Sequence, residues 1–313
     1  MSGRAWRGQL GLALVAVGLV WGLPIQAEPP LAQRAPQAPL VFSTGVQRVR
    51  LDALVHDKGR PITGLTAADF IVTDNGLPVR DLEVTQAEER ITVTVALDIS
   101  GSIAEEFLDE MRDAVMGVID ALEPADRGWL LVFNNQLELR AGPVADRARL
   151  RQALEGLQAG RGTSMWDALF ASVALAGTPG ERGRSLALVF SDGADSTSWL
   201  DDRRALDVVR RSDVVFSIIR PRHAAGPYGN VSVFSPLERA AVASGGVILK
   251  TERGTKLDSQ FVNLLREFRQ GYVLSFSTPA GSTRDDGWHE VDVRLKSRKG
   301  EVRVRPGYFA PGR

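Results

Sequence analysis

Cysteine is absent from all 313 residues, which excludes disulfides, zinc–thiolate centres, thiol nucleophiles and lipid attachment through a lipobox cysteine. Histidine is scarce: His56, His223 and His289 lie far apart with no HExxH spacing. That argues against a zinc protease and leaves each reading as a loop or surface residue. No GxSxG elbow is present either. There is no surplus of charge of one sign, since 38 acidic residues balance 38 basic ones, so bulk charge gives no ground for nucleic-acid binding. Long apolar runs are missing except for Leu10–Leu23, which falls short of the roughly 20 residues of a spanning helix. Arg4 and Arg7 precede it and Pro24-Ile25-Gln26-Ala27 follows as a cleavage region. The two arginines are not adjacent, which does not support the twin-arginine route. Residues 1–27 therefore read as a signal peptide or, because Ile25 is bulky for a cleavage site, as a retained signal anchor. The chain is expected to be exported, periplasmic or secreted, with membrane contact only through such an anchor.

What is present is a hydrophobic fraction of 44%, enough for a core, and a chain long enough for one medium domain plus a smaller module. Residues 28–40, rich in Pro, Ala and Gln, read as a flexible linker. Residues 41–89 carry short alternating runs and the turns Asp57-Lys58-Gly59 and Asp74-Asn75-Gly76, a β pattern. Residues 271–313 carry three further strand candidates, in Gly271–Ser277, His289–Lys296 and Glu301–Arg305. Neither set is large enough to stand well alone, so they are expected to share one small β-sandwich around the intervening segment. Between them, residues 90–270 alternate buried-strand and helix patterns, as an α/β fold with a doubly wound, mostly parallel sheet requires. A helix is expected over Arg147–Leu157.

The chemistry concentrates at the ends of two strand candidates. Ile91–Leu97 is a β-branched apolar run followed by DISGS, and Ser185–Phe190 is followed by Ser191-Asp192-Gly193. Asp98, Ser100, Ser102 and Asp192, with Thr163 of RGTS, offer carboxylate and hydroxyl oxygens on strand-to-helix turns, where ligands of open α/β sheets bind. Such a set suits a hard cation: magnesium, or calcium or manganese. Only two of the five ligands carry charge. A dication held largely by hydroxyls and water stays electrophilic enough to attract a carboxylate from another molecule. Each motif alone has an ordinary reading, as a helix cap or as turn chemistry; their joint occurrence in this order favours the metal site.

The pattern Asp-x-Ser-x-Ser, a downstream Gly-Thr before an apolar helix, and Ser-Asp-Gly after a later strand resembles the metal-ion-dependent adhesion site of von Willebrand factor type A domains. The resemblance implies a Rossmann-like domain in which Asp98, Ser100, Ser102, Thr163 and Asp192 hold Mg2+, directly or through water, and a partner's Asp or Glu takes the open position. One departure is Arg161-Gly162 where a glycine pair often precedes the threonine, which places a cationic side chain near the rim. The flanks, including DxxGxPITGLTxxDFxVxDNG and VRVRPGYFAP, look like those of the bacterial von Willebrand factor type A-related group abundant in acidobacteria.

The expected function is a non-enzymatic, exported, metal-dependent protein-binding module. An alternative is a structural component of an envelope assembly whose metal only stabilises the fold. A further rival is an Mg-dependent phosphohydrolase of the haloacid-dehalogenase type, which needs a second Asp two residues after the first; Ser100 stands there and cannot act as acid and base near neutral pH. Partner contacts are expected from Arg161 and from Arg222, His223 and Tyr228 in the loop Arg220–Phe234. Asp195, Asp201 and Asp202 read as caps and solvated charges, Trp166 as packing, and Asp167 as an outer acceptor behind the metal ligands.

Overall fold

The computed structural model describes residues 48–86, 89–177, 183–220, 234–250, 257–282, 287–296 and 299–310, with residues 102–107 and 234–235 described as backbone only. Five short strands come first: β1 (Arg48–Asp57), β2 (Arg60–Pro61), β3 (Phe70–Asp74), β4 (Leu77–Pro78) and β5 (Glu83–Gln86). The α/β part follows as β6 (Ile91–Asp98), α1 (Gly101–Ala121), β7 (Arg127–Phe133), β8 (Leu137–Val144), α2 (Arg147–Gln152), α3 (Met165–Ala176), β9 (Arg184–Phe190), α4 (Asp202–Arg211), β10 (Val215–Arg220), α5 (Phe234–Ser244), β11 (Ile248–Lys250) and α6 (Leu257–Arg269). The described chain ends with β12 (Tyr272–Ser277), β13 (Trp288–Leu295), β14 (Glu301–Val304) and β15 (Gly307–Phe309).

The central sheet has six strands in the order β11-β10-β9-β6-β7-β8, all parallel except β8. Every residue of β6 is buried, because a parallel strand covered by helices on both faces cannot alternate polar and apolar residues. One face packs against α1 and α6 through Met111, Val115, Val118, Phe261, Leu264 and Phe268; the other packs against α3, α4 and α5 through Leu169, Val173, Val209 and Leu237. The strand order turns back between β6 and β9, which opens a crevice outside their carboxyl ends.

Two features of this α/β part differ from the sequence expectations. β8 is an antiparallel edge strand that the pattern did not announce, because no residue of LELRAGPV is buried and its Gly-Pro argues against a central strand. α2 stops at Gln152 instead of reaching Leu157. Its successors form turns, with Gly156 in the left-handed region, a conformation that favours glycine.

The outer strands form two antiparallel sheets, β14-β1-β12-β5 with β2 attached to β1, and β15-β13-β3-β4. Arg48 of β1 faces Ser277 of β12, Ala53 faces Val304 of β14, and Val72 of β3 faces Val293 of β13. Strands from the two flanks of the α/β part thus alternate in the first sheet and meet at the β13–β3 pair in the second, over a shared core of Leu51, Phe70, Val72, Tyr272, Leu274, Phe276 and Tyr308.

His289 is fully buried in this sandwich, contrary to the reading of it as a loop or surface residue. Its Nδ1 lies 2.8 Å from Asp74 Oδ1, while Tyr308 Oη donates to Asp74 Oδ2 at 2.6 Å. Burial is tolerated because polar partners come from neighbouring strands. Burial, followed by the bond to Asp74, pushes the Tyr308 phenol well above its ordinary value.

Two buried arginines join the layers. Arg184 Nε donates to Asp52 of β1 and Nη1 to the Phe268 carbonyl, with the guanidinium lying over the Phe268 ring. Arg305 donates to the carbonyls of Gly307 and Ser212, each at 2.7 Å, to Asp213 Oδ1 at 3.0 Å and to the Arg210 carbonyl. Guanidinium groups suit this task because their fixed fork of donors satisfies several acceptors at once. Among the described residues no helix is long and apolar enough to cross a membrane.

Candidate metal centre

Asp98 is the last residue of β6 and is fully buried. Its Oδ1 accepts the Ser100 backbone N–H at 2.9 Å and its Oδ2 accepts the Ser191 hydroxyl at 2.7 Å. The second bond draws the end of β9 toward β6 and brings Asp192, one residue on, to the same crevice. Ser100 is the N-cap of α1, yet its hydroxyl makes no capping bond and is instead hydrogen-bonded to Asp98. The capping explanation of DISGS therefore does not account for Ser100. Ser102 lies in the first turn of α1, and its side chain falls outside the described residues.

Thr163 reaches the crevice on a separate segment. Gly160 pairs with Ser100 in a parallel bridge, the Gly160 N–H donates to the Ile99 carbonyl at 2.8 Å, and the Ser164 N–H donates to the Asn134 carbonyl at 2.7 Å. This backbone runs closely over the ends of β6 and β7. At Gly160 a Cβ would collide with the Asn134 side chain, and Gly162, at φ +68, faces Asn135 and Thr197. Glycine on either side of Arg161 is thus a steric requirement. Thr163 itself is buried, while Arg161 is exposed.

The loop after β9 wraps around Thr163. Ser196 Oγ accepts the Thr163 N–H at 2.9 Å, and the Thr163 carbonyl accepts the N–H groups of Ser196 and Thr197. Asp192 Oδ1 accepts the Ala194 N–H, and Asp195 Oδ1 accepts the Met165 N–H, each at 2.9 Å. Asp195 thereby satisfies a free amide at the start of α3, as Asp201 does for α4 through Arg204. Asp167 does not stand behind the metal ligands in the described contacts: both its oxygens take backbone amides of the loop, from Trp199 and Leu200 at 2.9 Å.

Sequence reasoning did not single out Ser191 or Arg220 as site residues. Ser191 is concealed because its role depends on the register between β6 and β9. Arg220 ends β10, where Ile219 faces Phe190 and the Ser191 N–H donates to the Ile219 carbonyl at 3.3 Å, so it stands beside the Ser191–Asp192 turn. Partial burial lowers the Arg220 guanidinium from its ordinary value, while Asp192 and Glu238 act in the other direction. Arg222, His223 and Tyr228 lie outside the described residues.

The donor chemistry fits a hard dication. Burial pushes the Asp98 carboxyl up to about 6, and the negative charge of Asp192 adds to this, against hydrogen bonds from Ser100 and Ser191. Those opposing hydrogen bonds come from neutral groups, leaving a buried carboxylate in need of positive charge. Among the described residues there is no group of three or more His, Cys, Asp or Glu that could hold a metal. A cation held beside Asp98 and Asp192 would need hydroxyl or water oxygens to complete its shell.

The position of Arg220 carries a prediction. Arg220→Met removes a positive charge beside Asp192, and lifting about 1 kcal/mol of repulsion should tighten Mg2+ binding roughly threefold to tenfold. Calorimetric titration reads this directly; weaker binding by a folded variant would show that Arg220 supports the site instead of opposing the ion.

Comparison with known proteins gives a consistent picture of the fold. The family model described as von Willebrand factor type A domain matches residues 93–194. A von Willebrand factor type A structure from Catenulispora acidiphila is similar at a TM-score of 0.51 and 14% identity, covering 81% of this chain and 74% of that one. Proximal thread matrix protein 1 from the mussel byssus is similar at 0.50 and 14% identity, covering 63% and 51%. An aerotolerance-related membrane protein from Bacteroides fragilis reaches 0.46 at 18% identity, covering 57% and 98%. A search of curated proteins finds no significant match. At such identities the structural likenesses bear on the fold alone. The sheet order, the matched segment and the likeness to the Catenulispora acidiphila structure agree on a von Willebrand factor type A-like α/β fold, the matched portion running from β6 to the turn after β9.

Proposed function

We propose that this protein is an exported binding module that holds Mg2+, or Ca2+ or Mn2+ in its place, at Asp98, Ser100, Ser102, Thr163 and Asp192, and captures an Asp or Glu side chain of a partner protein. The observation that carries this reading is the buried Asp98 carboxylate, pushed up to about 6 by burial and hydrogen-bonded by hydroxyl and amide groups. When bound, the ion supplies an electrophilic centre with coordination positions left for an outside oxygen. The chain's own residues do the rest. Ser191 fixes the Asp98 carboxylate, Ser196 and the loop amides fix Thr163, and the Asp98–Ser100 contact holds the hydroxyl off the helix cap. This pre-arrangement lowers the ordering cost of binding.

A binding role is favoured over phosphoryl transfer because Ser100 occupies the position where that chemistry wants a second carboxylic acid, and its hydroxyl is engaged with Asp98. Export rests on the N-terminal sequence. Affiliation with the acidobacterial-type group rests on the flanking motifs.

A cation accepts any accessible carboxylate, so discrimination must come from groups around it. Capture of a partner from envelope extract should require divalent metal and be abolished by chelator. Replacing Arg222, His223 and Tyr228 together by Ala should weaken capture about tenfold and leave Mg2+ affinity nearly unchanged. Capture indifferent to chelator would overturn the cation-mediated reading and favour a purely stabilising metal.

A further inference from the structure

Trp199 is 94% exposed, although it is one of the largest apolar side chains. Its backbone is firmly placed. The Trp199 N–H donates to Asp167 Oδ2 and the Leu200 N–H to Asp167 Oδ1, each at 2.9 Å, so one carboxylate of α3 grips both amides. Just before it, Ser198 Oγ donates to Asp195 Oδ1 at 2.5 Å and accepts the Trp166 N–H at 3.0 Å, while Ser196 and Thr197 bond to the Thr163 backbone. This is an ordered loop that presents an indole to solvent.

The loop also fixes where that indole stands. Ser196 touches Thr163, and Trp199 follows three residues later, so the Ser196 and Trp199 backbones lie no more than about 11 Å apart along an extended chain. Arg161 is exposed at the same edge, since Gly162 packs against Thr197. An exposed tryptophan on a pre-ordered backbone, beside a site for an acidic side chain, has the make-up of an interface anchor: large contact area at small entropy cost.

We infer that Trp199 is a specificity-determining contact of the cation site, and that the preferred partner segment is an extended peptide with an Asp or Glu and an aromatic or large aliphatic residue two or three positions away. An extended strand rises about 3.3 Å per residue, so two or three positions cover up to about 10 Å, within the reach that the Ser196–Trp199 separation allows. An apolar neighbour is favoured over a basic one because Arg161 at the same edge repels cations. The inference rests on the proposed cation site.

The test is an array of synthetic peptides, each with one central Asp and varied flanking residues, probed with the full chain in Mg2+ and in chelator. For the wild type, Mg2+-dependent binding should be roughly tenfold stronger where Phe, Trp or Leu stands two or three positions from the Asp than where Gly or Ser does. Trp199→Ala should lose this preference and retain the weaker binding of Gly-flanked peptides and the Mg2+ affinity; Trp199→Phe should keep most of the preference. Thermal melting of each variant reports that it is folded. A flank preference unchanged in folded Trp199→Ala overturns the role of Trp199 and leaves the cation site standing. Absence of Mg2+-dependent binding by every Asp peptide, with Mg2+ still bound, overturns acidic capture and the inference with it.

Discussion

Replacing Asp98 by Asn should abolish measurable Mg2+ binding and at the same time make the metal-free protein more stable near neutral pH. The carboxyl is fully buried and pushed up to about 6 from its ordinary 3.8, chiefly by burial. Below about pH 4 it is protonated in both folded and unfolded chains, and its contribution to stability is intact. As pH rises through 6 the folded protein must ionise a group that the unfolded chain ionises more easily, and that contribution is lost, by about 3 kcal/mol. Asn imitates the protonated form and does not titrate. In chelator, the variant's advantage over wild type should grow from near zero at pH 4 to about 2–3 kcal/mol above pH 6. Adding Mg2+ should reverse the order, because only the wild type gains stability from an ion bound to the folded state. Denaturant melts across pH, with and without Mg2+, give both results. A folded Asn variant that still binds Mg2+ with wild-type affinity would remove Asp98 from the site.

The second large effect is architectural. Deleting Gly271–Arg313 takes from β1 both of its long partners, β12 and β14, and from β3 its partner β13. It also uncovers Leu51, Val55, Phe70 and Val72, which are buried against Tyr272, Leu274, Phe276 and Tyr308. Each such side chain loses about 1.5–3 kcal/mol of burial, and a two-stranded remnant cannot hold its fold in water. The segment Val41–Glu89 should become readily cleaved by added protease. We propose that residues 90–270 form a separate domain, and its sheet should stay resistant in the same digest. Equal resistance of the N-terminal segment in the truncated and full-length proteins would mean that it folds without its C-terminal neighbours.

Much of this arrangement is legible in the sequence because burial on two faces leaves a plain signature. ITVTVAL and SLALVF can only be covered strands, and oxygen-bearing side chains placed just beyond them must lie at the carboxyl edge of a parallel sheet. The legibility fails where the cause is long-range. Ser191 resembles any serine in a turn until the register of β6 against β9 sets it on Asp98. Arg220 belongs to the site only because β10 lies next to β9. His289 looked like a surface residue because its buried partner Asp74 lies 215 positions away in sequence and meets it only when β3 pairs with β13. β8 was unannounced because an edge strand without a buried residue carries little periodic signal, and β15 because it is only three residues long.

The interleaving of the two flanks also dictates an order of events as the chain is made. β1 emerges first, but its partners β12 and β14 follow only after every strand of the six-stranded sheet. Contacts between such distant segments carry a heavy loop-closure cost and form slowly. The six-stranded sheet, whose strands lie closer together in sequence, can assemble while the N-terminal strands still wait with open edges. Closing the sandwich is therefore the last act of folding, and until then the chain's earliest strands are the ones most exposed to pairing with a neighbour.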